Sequence, residues 1–131
     1  MNTQKLITAK RESEDYKMRK IINNIIITAE QICNSKDTVV LLVSVRKGVE
    51  YVNGKPTGNT DHHKYDSALP YNQFEKITVK IKGDPLVTQE QLEKNGGTLK
   101  VRFKNMTGKL YRTSTGEYSL SASADGLEVV N

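Results

Sequence analysis

Residues 76–104 read KITVKIKGDPLVTQEQLEKNGGTLKVRFK. Two segments of this stretch alternate strictly, Lys76–Lys82 and Thr98–Lys104. Ile77, Val79 and Ile81 fall on one side of the first, and Leu99, Val101 and Phe103 on one side of the second. Lys76, Lys80, Lys82, Lys100, Arg102 and Lys104 fall on the other. Successive side chains of a strand point to opposite faces, so each segment is predicted to be a strand with an apolar face on the core and a cationic face outward. Between them, Gly83-Asp84-Pro85 ends the first strand. Thr88 is placed to cap a short helix over Val87–Lys94, and Asn95-Gly96-Gly97 stops it.

Upstream, Asp61–Leu69 alternates with His63, Tyr65, Ser67 and Leu69 on one side, and Pro70 ends it. Thr38–Arg46, TVVLLVSVR, is apolar up to Ser44 and reads as a central strand buried on both faces or nearly so. Val49–Val52 is short and extended, and Asn53-Gly54 marks a tight turn. Residues 24–30 divide two signals. The β-branched run Ile25-Ile26-Ile27-Thr28 favours a strand, while the spacing of Met18, Ile21, Ile22, Ile25, Ala29 and Ile32 suits a helix. We take the strand, with the helix as alternative. Downstream, Lys109–Arg112, Glu117–Ser123 and Leu127–Val130 are short strands, with Tyr118, Leu120 and Ala122 facing inward. Several short strands spaced by Gly/Asn turns, with one helix before a late strand, predict a mainly β fold. The expected form is a small OB-like (oligonucleotide-binding) Greek-key β-barrel. Residues 1–20 are expected to be a polar N-terminal extension and 21–131 a single barrel domain.

The chain has 131 residues and a formal net charge of +5. The positive charge is concentrated: residues 76–112 carry nine Lys/Arg against three acids, whereas 21–75 carry five against six. A basic middle points to an anionic polymer as partner. The single cysteine, Cys33, excludes an internal disulfide and fits a reducing cytoplasm. The N-terminal residues show no apolar signal-peptide core, and no apolar run approaches the roughly 20 residues of a membrane span. A cytoplasmic protein without membrane contact is expected.

Lys and Arg along a strand face can track a phosphate backbone, and aromatic rings beside them can stack on bases. The expected site is therefore a single-stranded nucleic-acid site, most simply for ssDNA. It comprises Lys76, Lys80, Lys82, Lys100, Arg102 and Lys104, with Tyr65, Tyr71 and Tyr111 as stacking residues. Tyr51 and Phe74 are further aromatic candidates, whereas Phe103 and Tyr118 lie on apolar faces. The plain alternative is an outward Lys face that serves solubility and blocks edge pairing. A second functional reading is a protein–protein adaptor that docks an acidic partner on the same face. Lys5, Lys10, Arg11, Lys17, Arg19 and Lys20 of the N-terminal segment could extend a nucleic-acid contact or steer association.

No enzyme is expected, because no catalytic constellation has the needed spacing, and no cofactor is implied. His62 and His63 are adjacent and so face opposite sides of a strand. With no third ligand near, they make no metal site. Cys33 stands alone and is expected to be a small buried residue.

The half of the chain from residue 64 to 130 resembles the small proteins of Gram-positive integrative and conjugative elements, a family described as a domain of unknown function. The features that carry the likeness are Lys64-Tyr65-Asp66 opening a strand and Ile77-Thr78-Val79-Lys80-Ile81. They continue with a valine strand ending in Asn over Leu99–Asn105. Last comes a Tyr118 strand leading to Ala124-Asp125-Gly126-Leu127-Glu128-Val129. The resemblance implies a barrel related to the OB plan and a role in the DNA processing or transfer of a mobile element. It supplies no catalytic residues.

Overall fold

Residues 25–131 are described by the structure, a computed structural model. The N-terminal cations from Lys5 to Lys20 lie outside the described residues.

The described residues begin with β1 (Ile27–Thr28) and α1 (Ala29–Cys33). The strand expected over 24–30 is thus cut short after two residues. Thr28 decides this: its hydroxyl accepts the Gln31 N–H at 3.2 Å, while the Gln31 side-chain oxygen accepts the Thr28 N–H at 2.9 Å. This reciprocal capping box starts a helix where the β-branched run ends. Ile32 and Cys33 then turn into the core.

Next come β2 (Val39–Lys47), the small hairpin β3 (Tyr51–Val52) and β4 (Lys55–Pro56), then β5 (His62–Leu69) and β6 (Glu75–Lys82). Asn53 and Gly54 both take left-handed φ, 52° and 77°, as the tight β3–β4 turn requires. The second helix, α2 (Gln89–Lys94), carries the expected Thr88 cap and buries Leu92 completely. β7 (Leu99–Lys104), β8 (Thr107–Arg112), β9 (Tyr118–Ser123) and β10 (Gly126–Val129) complete the chain.

Among the described residues eight strands form one sheet in the order β1-β8-β9-β6-β5-β2-β7-β10. All neighbours are antiparallel except β6 and β9, which run parallel through Val79↔Ala122 and Lys80↔Ser123. β10 pairs with β7, from Gly126↔Lys104 to Val129↔Val101. Only Ala124 and Asp125 part β9 from β10. The Ala124 N–H donates to Lys80 O at 3.0 Å and the Asp125 N–H to Lys104 O at 2.9 Å. Two consecutive residues therefore touch strands at opposite sides of the β6-β5-β2-β7 unit, which bends the sheet into a half-barrel.

The inner face holds Val40, Leu42, Tyr65, Val79, Val101 and Leu92, all fully buried. Each such side chain contributes roughly 1.5–3 kcal/mol by leaving water. The alternation expected for the two basic strands holds: Val79, Ile81, Val101 and Phe103 are buried, with Ile77 and Leu99 packed against them. β2 is central but not buried on both faces. Val40 and Leu42 face the core, whereas Val39 and Leu41 are only half-buried on the outer side. A register shift between Leu42 and Ser44 then inserts one extra residue against β5. Strict alternation from Val40 and Leu42 would turn Ser44 and Arg46 inward. The bulge resets the parity, so Val45 lies opposite inward-facing Tyr65 while Arg46 lies opposite Lys64 on the outside.

Candidate nucleic-acid interface

The six cations expected to form one face share the outer side of the sheet but fall into two separated sets. β6 and β7 belong to the same sheet, but β5 and β2 lie between them. Lys76, Lys80 and Lys82 project from β6, and Lys100 and Lys104 from β7, all exposed. Arg102 is engaged by acids on both sides, Glu128 at 3.1 Å and Asp37 at 3.5 Å. Its charge is largely compensated locally. The alternating pattern sets which way each side chain points, but strand neighbours are chosen by the β5–β6 hairpin and by the return of β7 to β2.

Tyr65 is corrected as a stacking residue. It is fully buried, its hydroxyl accepts the Leu86 N–H at 3.1 Å, and its ring meets Phe103 edge-on at 6.1 Å. A ring enclosed in this way has no face for a base. Tyr71 and Tyr111 are half-exposed, as stacking would need. Tyr118, expected inward, is 50% exposed, because the end of the β8–β9 hairpin projects beyond the core.

Cross-strand register assembles a different cationic group. Arg46 lies opposite Lys64, and Lys64 lies opposite Lys80, so three cations stand in one row across β2, β5 and β6. Lys109 of β8 joins them along a groove of about 610 Å³ that Tyr111 and Leu120 also line. The neighbouring row holds Ser44, Asp66 and Thr78. Asp66 receives Arg46 through two bonds, from Nε at 2.7 Å and Nη2 at 2.8 Å, and the Thr78 hydroxyl at 2.7 Å. The Arg46 guanidinium, aided by Thr78, holds the Asp66 carboxyl below the usual carboxylate range against the opposing effect of burial. The fork fixes one edge of Arg46. Lys64, Lys80 and Lys109 form no ion pair among the described residues.

A second cleft, of about 760 Å³, continues from this groove through Thr78, Leu110, Tyr111 and Leu120 and adds Lys76 and Tyr118. Its origin is topological. β9 meets β6 only at Val79 and Lys80, so the earlier parts of the two strands diverge.

Arg46, Lys64 and Lys109 line the candidate groove and were not expected from the sequence. Lys64 was recoverable, since it alternates opposite the His63, Tyr65 and Ser67 set. Arg46 was hidden by the bulge, and Lys109 by the unknown path of β8.

The two histidines diverge as expected. His63 is buried, with Nδ1 at 2.9 Å from Gly83 O, and His62 pairs through Nδ1 with Asp61. The Nε2 atom of His62 packs on Gly48, where any Cβ would come within 2.0 Å of it. Among the described residues no group of three or more His, Cys, Asp or Glu converges. Cys33 is buried, and burial, followed by the charge of Asp37, pushes its thiol pKa up. Among the described residues no helix is long and apolar enough to cross a membrane.

Comparison with protein-family models, with characterised proteins and with solved structures returned no match.

Proposed function

We propose that this protein binds single-stranded nucleic acid, most simply ssDNA, in the groove over β5 and β6, as a binding module rather than an enzyme. The row Arg46–Lys64–Lys80 carries the reading. Like charges directly opposite one another destabilise a sheet by a few tenths of a kcal/mol or more, up to about 1 kcal/mol per pair. No acid lines this groove among the described residues, although Asp66 pairs with Arg46 and both Asp61 and Asp125 share a neighbouring cleft with Lys80. A phosphate backbone laid along the groove offsets that repulsion, and Tyr111 at its wall offers a face to a base.

The strand plan supports the same reading. The β2-β5-β6 meander, α2 before β7, the return of β7 to β2 and the parallel β6–β9 pair favour an OB-like reading of the half-barrel. In that plan the second and third strands, here β5 and β6, form the oligonucleotide face, flanked by the loops that here hold β3–β4 and β8. The resemblance of residues 64–130 to conjugative-element proteins adds a setting, the cytoplasmic DNA processing of a mobile element.

Fluorescence anisotropy with labelled single-stranded oligonucleotides across a salt series tests the proposal. If three or four phosphates are neutralised, log affinity falls against log salt with a slope of about −2 to −3. Lys64→Glu with Lys80→Glu is expected to flatten the slope and weaken binding at least tenfold, while Lys94→Glu on α2 leaves it unchanged. No binding at about 50 mM salt, a permissive condition for a phosphate-driven contact, rejects the reading. An acidic protein partner lost with the same two lysines would instead favour the adaptor.

A further inference from the structure

We infer that a strand bound in the β5–β6 groove continues over the outer face of the sheet to a second, base-stacking subsite built by Tyr71 and Phe74. This inference rests on the nucleic-acid reading of the groove.

The subsite begins with a tight turn between β5 and β6. The N–H groups of Asn72 and Phe74 both donate to Leu69 O, at 3.1 and 2.9 Å. Gln73 and Phe74 both sit in the left-handed region, at φ 56° and 55°. For residues other than glycine, and for an aromatic most of all, this is a costly conformation that the surroundings must hold in place. Two side-chain bonds to the α1 region brace the turn. Asn72 Nδ2 donates to Ile32 O at 3.3 Å, and Asn34 Nδ2 donates to Tyr71 O at 3.2 Å. The braced turn presents Tyr71 and Phe74 with 53% and 60% of their surface in water.

Beside them lies a groove of about 380 Å³ floored by Val39 and Leu41. In register, Leu41 lies between Lys100 on β7 and Ala68 on β5, and Ala68 lies opposite Lys76 on β6. The row thus has an apolar centre and a lysine at each end, the arrangement that suits a base over the centre and phosphates at the margins. Asp37 also borders the groove, but Arg102 engages its charge. Ala68 is four residues from Lys64 on the same face of β5, about 13 Å along the strand. A single strand covering the roughly 4–16 nucleotides usual for one OB fold can span both places. The match of lysines to aromatic rings, continuous with the cationic row, favours nucleic acid over a protein partner.

The test compares oligo(dT) of about 4 and about 12 nucleotides, lengths within the range of one such site. Two variants are used, Tyr71→Ala and Phe74→Gly. Glycine removes the ring and relieves the left-handed backbone, so loss of binding cannot be ascribed to unfolding, and thermal melting checks this. The longer strand is expected to lose about tenfold in affinity in each variant, as for the loss of a stacked base. The shorter strand is expected to bind as before, whereas Lys64→Glu with Lys80→Glu weakens both. Unchanged binding of the longer strand, or equal loss for both lengths, overturns the subsite and leaves the groove standing. A change in sedimentation of Phe74→Gly alone, with unchanged long-strand affinity, assigns the patch to self-association and also overturns it. Wild type that binds neither length overturns the subsite and the groove together.

Discussion

Asp66 shows how one side chain conditions the candidate site. It sits in the row next to three opposed cations, and it holds Arg46 in a two-bond fork. Arg46 is half-exposed, so the pair contributes only about 1 kcal/mol or less. The folded-state pKa of Asp66 is depressed, so the stabilisation is complete above the ordinary carboxylate value of about 4 and is lost as pH falls through the lowered value. Asp66→Asn is therefore expected to cost about 1 kcal/mol or less at pH 7 and progressively nothing in acid. Urea titrations at several pH values measure this. A cost that persists unchanged at low pH would show that Asp66 acts through packing instead. Removing the carboxylate also raises the positive charge of the groove, so oligonucleotide affinity should hold or rise at low salt. Tyr65 illustrates the opposite lesson at this scale. Its position in an alternating segment with Leu69 already marked it for the core, and its nearness in sequence to basic residues was no guide to exposure.

At the scale of elements, α2 is the part most legible in the chain. Thr88, Gln91 and the stop at Asn95-Gly96-Gly97 are local signals, and local hydrogen bonds realise them. Leu92 is its one fully buried side chain. Leu92→Ala is expected to destabilise the protein by about 2–5 kcal/mol, and Thr88→Ala by about 1 kcal/mol through the lost cap. Denaturant unfolding of the two variants checks the order; a larger loss from the cap than from Leu92 would contradict the packing described. β2 was legible in place but not in facing. Its bulge is invisible in TVVLLVSVR, because residues 39–43 are all apolar and either parity satisfies them. The bulge nonetheless decides that Arg46 reaches the outer face. α1 was misjudged for a related reason: three consecutive isoleucines spoke for a strand, and a single capping threonine ended it.

Across the whole molecule, β2 and β5 have strand partners on both sides, while β3 and β4 pair only with one another and are exposed throughout. Amide hydrogen exchange should be slowest along β2 and β5 and fastest in the β3–β4 hairpin. Hairpin amides as protected as those of β5 would contradict this ranking.

The two alternating segments at 76–82 and 98–104 mark what the sequence determined by itself. Strand identity, the inward set of Val79, Ile81, Val101 and Phe103, and the helix between them follow from period and local capping, which involve only near neighbours in the chain. Tertiary structure alone decided which cations share a surface. It set β5 and β2 between the two basic strands, paired Arg102 with Asp37 and Glu128, and brought Arg46, Lys64 and Lys80 into one row. Period fixes a side chain's face within its own strand. Adjacency depends on how hairpins, a bulge and the crossover at Ala124-Asp125 order the strands, and those are contacts between residues far apart in the chain.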